Sequence, residues 1–160
     1  MAGVTPVRVL FVCLGNICRS PMAEGIFRKL VQARGLEAQI EIDSAGTSDW
    51  HVGEAPDPRA QRLLLRHDID IRGLRGRQAK TRDFAEFDYI LAMDEANHVA
   101  LGRIQPAGAR ARLYRTTDFA PQLKVREVPD PFSGDDETFV YVYDLIADSC
   151  NGLLDHIERE

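Results

Sequence analysis

The stretch VRVLFVCLGNICRSP, residues 7–21, decides the fold of this chain. Apart from Arg8, residues 7–12 are β-branched or large and apolar, which is typical of a strand buried on both faces of a parallel sheet. Ser20 followed by Pro21 predicts a helix, with Ser20 as its N-cap and proline in the first helical position. The stretch therefore predicts a buried strand, a short loop and a helix.

Strand and helix patterns alternate through the rest of the chain. Alternation of this kind predicts a parallel sheet with right-handed crossovers, and thus one α/β domain over residues 1–160. The further strands are predicted at 38–43, 88–93 and 111–114, and the further helices after the Asp57–Pro58 pair, at 94–104 and from about Asp136 onward.

Composition excludes several classes of protein. Of the 160 residues, 44% are hydrophobic and 28% charged, which excludes disordered and collagen-like chains. Twenty Lys and Arg against 25 Asp and Glu give a net charge of −5, which argues against a dedicated nucleic-acid binder. The five basic residues between Arg72 and Arg82 lack interleaved aromatics and are interpreted as a solvated loop.

Targeting and cysteine patterns indicate where the protein works. The longest apolar run, residues 9–14, is far shorter than the roughly 18 residues that span a bilayer, and no signal-peptide pattern is present. Three cysteines cannot form a disulfide framework and leave an unpaired thiol. We therefore expect a cytoplasmic protein without a membrane or nucleic-acid partner.

The loop CLGNICRS, residues 13–20, has the composition of an anion site. It joins the carboxyl end of a buried strand to a helix N-terminus, where backbone N–H groups and the helix dipole favour negative charge. Gly15 permits the tight turn, and Arg19 offers a planar fork that matches two phosphate oxygens. No Gly-Lys-Ser/Thr follows and no G-x-G-x-x-G is present, so the sequence predicts an oxyanion site that is not a nucleotide loop.

Cys13 at the first position of this loop adds a nucleophile. A thiolate beside a bound phosphate ester predicts in-line attack, a phosphocysteine and its hydrolysis by water. The leaving group needs a general acid, and Asp130, held between Pro129 and Pro131, is the candidate. The alternatives are that Cys13 is a small buried residue ending a strand and that Asp130 is a turn residue.

The chain resembles the low-molecular-weight protein tyrosine phosphatases from Val9 to the final helix. The resemblance implies a four-stranded parallel sheet with helices on both faces in a flavodoxin-like topology. It also implies hydrolysis of phosphotyrosine and aryl phosphates with no metal and no cofactor. The matching motifs are VCLGNICRSPMAEG (12–25), IDSAGTSDWHVGEAPDPRA (42–60), FDYILAMDEAN (87–97) and DPF (130–132), with Arg77-Gln78 and Asp83-Phe84 between them.

The same resemblance implies roles for individual residues. Cys13 corresponds to the nucleophile, Arg19 to the phosphate clamp and Asp130 to the general acid and base. Trp50 and Phe132 match the aromatic walls that select an aromatic phosphate over phosphoserine. The alternative for Trp50 is a core residue of an irregular loop. The implied phosphate-binding residues are Leu14, Gly15, Asn16, Ile17, Cys18 and Ser20. The implied partners are phosphotyrosine-containing proteins and inorganic phosphate or other oxyanions in the loop; whether a cognate tyrosine kinase is a partner stays open.

Two positions depart from the family pattern. Leu74 stands where the family often has a histidine tied to the loop, so we expect Asn16 to be supported differently. Ser133 stands where many members have a second aromatic residue beside the position of Phe132.

The other two cysteines receive different predictions. Cys18 is either a redox partner that protects Cys13 as a reversible disulfide or a small packing residue. Cys150 lies on the apolar face of the last helix and is predicted to be a core residue. Three alternative functions stay open: an arsenate reductase with the same loop, a thiol redox sensor, and a pseudo-enzyme that only binds phosphotyrosine.

Overall fold

Four parallel strands form the central sheet in the computed structural model, which describes residues 5–160. They are β1 (Val7–Cys13), β2 (Ile40–Gly46), β3 (Tyr89–Ala92) and β4 (Arg112–Arg115), in the spatial order β2–β1–β3–β4. β1 pairs with β2 on one side and with β3 on the other. The central position of β1 explains why residues 9–12 are apolar without alternation, since both faces of the strand are buried. The predicted four-stranded parallel sheet is confirmed.

Five α-helices cover this sheet in the described chain. They are α1 (Arg19–Ala33), α2 (Pro58–Leu65), α3 (Asp83–Glu86), α4 (Glu95–Ile104) and α5 (Asp136–Arg159). Val9 and Phe11 of β1 pack with residues of α1, α2 and α5, whereas Leu10 and Val12 pack with residues of α3 and α4. Helices therefore lie on both faces, as expected. No helix among residues 5–160 is both long enough and apolar enough to cross a membrane.

The start of α1 differs from the prediction. The helix begins at Arg19, Cys18 occupies the N-cap position, and no side chain caps the helix. The hydroxyl of Ser20 instead donates to the carbonyl of Ala45 (3.2 Å) and lies 3.0 Å from Cys13 Sγ. The prediction that Ser20 caps the helix is therefore wrong, because its hydroxyl instead contacts Ala45 and Cys13 beneath the loop.

The second strand also differs from its predicted bounds of 38–43. Gly46 still pairs with Cys13, so β2 continues beyond the residues with strand-like composition. This extension brings the end of β2 against the loop that follows β1. The backbone of Thr47 donates to the carbonyl of Cys13 (2.8 Å), and that of Ser48 donates to the carbonyl of Leu14 (3.0 Å).

The strand order determines where a ligand can bind. In doubly wound sheets a crevice opens at the carboxyl edge where the strand order reverses, here between β1 and β3. The residues that follow these two strands meet at this edge: Arg19, after the β1 loop, donates to Asp94, after β3 (2.6 Å).

Candidate active site

Cys13 lies at the end of β1 with its thiol under the following loop, residues 14–18, which we call the anion loop. Its Sγ accepts a hydrogen bond from the backbone N–H of Asn16 (3.3 Å) and lies 3.0 Å from Ser20 Oγ. Asn16 has a φ of 57°, a left-handed conformation that asparagine tolerates better than most residues. Because its sulfur makes these polar contacts, Cys13 is not an ordinary apolar residue at the end of a strand.

The anion loop presents unpaired N–H groups. Within residues 5–160, no protein atom accepts a hydrogen bond from the N–H of Gly15, Ile17 or Cys18. The loop leads directly into α1, a helix of 15 residues whose N-terminus carries partial positive charge. Free N–H groups beside a helix N-terminus are the arrangement that binds phosphate and similar anions.

Arg19 is held in a fixed position beside the loop. Its side chain is 2% exposed, and its Nη1 donates to Asp94 Oδ2 (2.6 Å) and to the carbonyl of Val128 (3.0 Å). Burial would lower the pKa of this guanidinium, but the nearby Cys13 and the carboxylates of Asp94 and Asp130 outweigh burial and raise it. Its buried Nε has no partner in the described chain, so this donor is available to an anion.

Asn16 is supported by a set of buried polar contacts. Its Nδ2 donates to Ser20 Oγ (2.8 Å) and Ser44 Oγ (3.1 Å), and its Oδ1 accepts from the backbone N–H of Arg77 (3.0 Å). Leu74, in place of the family's histidine, packs against the core. The different support expected for Asn16 thus comes from a backbone N–H and two hydroxyls.

The contacts of Asn16 continue to a buried carboxylate. Ser44 Oγ donates to Glu24 Oε1 (2.7 Å), and Arg28 donates to Glu24 Oε2 (3.0 Å). Burial raises the pKa of Glu24, against the opposite effects of Ser44 and Arg28.

Asp130 reaches the site from a separate segment, residues 129–134. Its Oδ2 is 3.5 Å from Arg19 Nη2, and its Oδ1 accepts from the backbone N–H of Phe132 (3.1 Å). The side chain is 43% exposed, so it is accessible to a substrate in the crevice.

The site opens into a cavity of about 130 Å³. Trp50 and Phe132 both line it and are 68% and 51% exposed, so Trp50 is not a core residue. The side chains of Asn16 and Ser20 do not line the cavity but make their polar contacts beneath the loop. The other predicted residues that line it are Cys13, Leu14, Gly15, Ile17, Cys18, Arg19 and Asp130.

Three residues of the site escaped sequence reasoning. Asp94 follows β3 at the same sheet edge as the anion loop, and this placement after a buried strand was the available signal. Ser44 lies within β2, two residues before its last residue, Gly46, and its hydroxyl contacts Asn16 from there. His51 also lines the cavity, and its Nδ1 lies 3.0 Å from Glu54 Oε2, a contact that the sequence does not indicate.

Among residues 5–160, no three His, Cys, Asp or Glu side chains lie close enough together to hold a metal ion.

Comparison with known proteins agrees with this geometry. The family model of the low molecular weight phosphotyrosine protein phosphatases matches residues 8–160. The chain is 43% identical over 152 residues to the Schizosaccharomyces pombe low molecular weight phosphotyrosine protein phosphatase, covering 94% of this chain and 97% of that protein.

Two solved structures have the same fold over nearly their whole length. The Entamoeba histolytica protein tyrosine phosphatase with Hepes in its active site has a TM-score of 0.91 and 36% identity, covering 96% of this chain and 97% of its own. YfkJ from Bacillus subtilis has a TM-score of 0.90 and 41% identity, covering 97% of this chain and 96% of its own. The chain therefore belongs to the low molecular weight phosphotyrosine protein phosphatases and is an enzyme of that class.

Proposed function

We propose that the chain hydrolyses phosphotyrosine in protein substrates through a phosphocysteine on Cys13. The observation that carries the proposal is the position of Cys13 Sγ under free backbone N–H groups, beside the buried guanidinium of Arg19. The N–H groups and Arg19 bind the three phosphate oxygens and stabilise the charge that spreads over them during transfer.

In the first step the thiolate of Cys13 attacks phosphorus. The S–P bond forms as the bond from phosphorus to the tyrosine oxygen breaks, and the electron pair of that bond leaves with the oxygen. Asp130, in its protonated form, gives its proton to this oxygen, so tyrosine departs neutral. The half-exposed carboxyl beside Arg19 supports this role, because Arg19 and the leaving group both contact the phosphate.

In the second step water hydrolyses the phosphocysteine. Asp130, now a carboxylate, accepts a proton from the attacking water as the P–O bond forms and the S–P bond breaks. Inorganic phosphate leaves, and the thiolate and the protonated acid are restored.

Selection of tyrosine follows from the walls of the cavity. Trp50 and Phe132 flank its mouth, so a phosphotyrosine ring buries apolar area against them while its phosphate reaches the anion loop. Phosphoserine is too short to reach the loop and contact both walls.

Two substitutions test the mechanism. Cys13→Ser should abolish hydrolysis of p-nitrophenyl phosphate but keep inorganic phosphate binding; substantial turnover by this variant would refute the phosphocysteine. Asp130→Ala should slow phenyl phosphate by about 10²–10⁴-fold but slow 2,4-dinitrophenyl phosphate much less, because that phenolate leaves without a proton. Equal losses on both esters would remove Asp130 from the acid role.

A substrate panel separates this proposal from the arsenate reductase alternative. Phosphotyrosine, phosphoserine and phosphothreonine peptides are compared with a thioredoxin-coupled arsenate assay. We expect rapid hydrolysis of the phosphotyrosine peptide alone. Arsenate reduction at a comparable rate would contradict the proposal.

We also propose that Cys18 protects the nucleophile from irreversible oxidation. Oxidised to a sulfenic acid by peroxide, Cys13 condenses with the Cys18 thiol, forming the disulfide and releasing water. Both thiols line the same cavity, whereas Cys150 is fully buried in α5. Burial, with added effects from Asp57, Cys13 and Asp130, raises the pKa of Cys18, so this residue stays a neutral thiol while Cys13 acts.

A further inference from the structure

Arg59, near the start of α2, contacts the segment that carries Asp130. Its Nη2 donates to the carbonyl of Phe132 (2.7 Å), and its Nη1 donates to the carbonyl of Gly134 (3.1 Å). The guanidinium also lies over the rings of Phe132 and Phe139, 5.7 and 4.6 Å from their centroids. One side chain thus combines two hydrogen bonds with two cation–π contacts.

The segment 129–134 has few other attachments. Within the described residues, these two bonds from Arg59 are the hydrogen bonds that join it to another element, and its other polar contact outside the segment is the 3.5 Å ion pair of Arg19 with Asp130. Its other hydrogen bonds are internal, from Phe132 to Asp130 and from Gly134 to Pro131 (2.8 Å). Arg59 therefore supplies the hydrogen bonds that hold this segment beyond Val128, whose own backbone is held by Met93 and Arg19 (2.7 and 3.0 Å).

The contact reaches Asp130 through a single residue. Arg59 binds the carbonyl of Phe132, and the N–H of the same Phe132 donates to Asp130 Oδ1 (3.1 Å). A shift of Phe132 therefore displaces the N–H group that donates to the Asp130 carboxylate.

The same guanidinium is connected to the anion loop through Asp57. Its Nε and Nη2 donate to both oxygens of Asp57 (3.1 and 3.0 Å). The backbone N–H of Asp57 donates to the carbonyl of Ile17 (2.8 Å), and its carboxyl caps α2 by accepting from the N–H of Arg59. A continuous set of contacts therefore runs from the loop that binds phosphate to the segment that carries the acid.

We propose that Arg59 is a positioning residue that fixes Asp130 relative to the phosphate held by the anion loop. The inference rests on the proposed function, in which Asp130 protonates the leaving group. A lysine cannot replace this side chain fully, because the contacts use both arms of a planar fork.

The test compares esters that need the proton with esters that do not. We expect Arg59→Ala to lower kcat/KM for phenyl phosphate by about ten- to a hundredfold, since displacement of a reacting group by about 1 Å has such an effect. For 2,4-dinitrophenyl phosphate we expect less than about a threefold loss, because that leaving group needs little proton transfer. Inhibition by inorganic phosphate should not change.

A double variant shows whether Arg59 acts through Asp130. In an Asp130→Ala background, Arg59→Ala should lower kcat/KM for phenyl phosphate by less than about twofold, because residues that act as one unit are not additive. The matched control is Arg62→Ala, on the same helix, since Arg62 is exposed and its side chain makes no hydrogen bond or ion pair within residues 5–160. It should behave as the unmodified protein.

Two results would overturn the inference. One is an equal loss on both esters, and the other is a full Arg59→Ala effect in the Asp130→Ala background. Thermal melting checks that the variants fold. If Arg59→Ala does not fold, Arg59→Lys is measured instead, and we expect it to show a smaller loss of kcat/KM with the same dependence on the leaving group. If Asp130→Ala itself shows no leaving-group dependence, the proposed function fails, and the inference fails with it.

Discussion

Gly46 at the end of β2 is predicted to control the shape of the anion loop. A Cβ built at this position lies 2.8 Å from the carbonyl oxygen of Leu14, 3.2 Å from the carbonyl carbon of Gly15 and 3.3 Å from Asn16 Cβ. Ordinary contacts begin at 3.4 Å, so Gly46→Ala requires a separation of about 0.6 Å between the strand and the loop.

The strand cannot provide that separation. The N–H of Gly46 donates to the carbonyl of Arg77 (2.8 Å), and its carbonyl accepts from Ala79 (2.7 Å), while Cys13 pairs with it in the sheet. The loop must therefore move, which takes its N–H groups away from the phosphate position. Overpacking of this kind costs about 1–3 kcal/mol of stability.

The expected kinetic effect follows from the same displacement. If about 1 Å of misplacement costs roughly 10²-fold in rate, a shift of this size should lower kcat on p-nitrophenyl phosphate about tenfold and weaken inhibition by inorganic phosphate. Steady-state kinetics and urea unfolding measure the two effects. The control is Gly102→Ala in α4, where nothing lies within 4 Å of the added methyl. Gly102→Ala should keep full activity, and its free energy of unfolding should rise by about 0.5–1 kcal/mol.

The reasoning fails if Gly46→Ala keeps both the turnover and the phosphate affinity of the unmodified protein. The loop would then be tolerant of displacement. In that case the fixed positions of the N–H groups of the anion loop would not be what accelerates hydrolysis.

Three further results are expected. Cys18→Ser should lose recovery by dithiothreitol after peroxide treatment, and full recovery would contradict the protective disulfide. Trp50→Ala should raise KM for a phosphotyrosine peptide about tenfold without changing phosphate inhibition, as expected for loss of an aromatic wall; an unchanged KM would argue against that wall. Burial raises the pKa of Glu24 above its ordinary 4.5, so folding stability should fall as pH rises through that raised value. Urea unfolding between pH 4.5 and 7 should show this slope, and Glu24→Gln should lack it; equal slopes would refute the assignment.

The sequence by itself determined the parallel sheet, and it pointed to Cys13 and Arg19, the proposed nucleophile and phosphate clamp. Local patterns are sufficient here, because the apolar run of β1, the loop of residues 14–18 and α1 are contiguous and their chemistry does not depend on distant contacts. The family motifs also indicated Asp130, Trp50 and Phe132, although these residues lie far from Cys13 along the chain.

Only the tertiary structure decided how these residues are supported. Local patterns assigned Ser20 to a helix cap, whereas in the fold its hydroxyl lies beside the Cys13 sulfur. Asp94 and Arg59 are ordinary capping or surface residues by composition, and they become part of the site because the strand order brings the ends of β1 and β3 together and α2 beside residues 129–134. Contacts between segments 70 or more residues apart depend on packing, which no local spacing encodes.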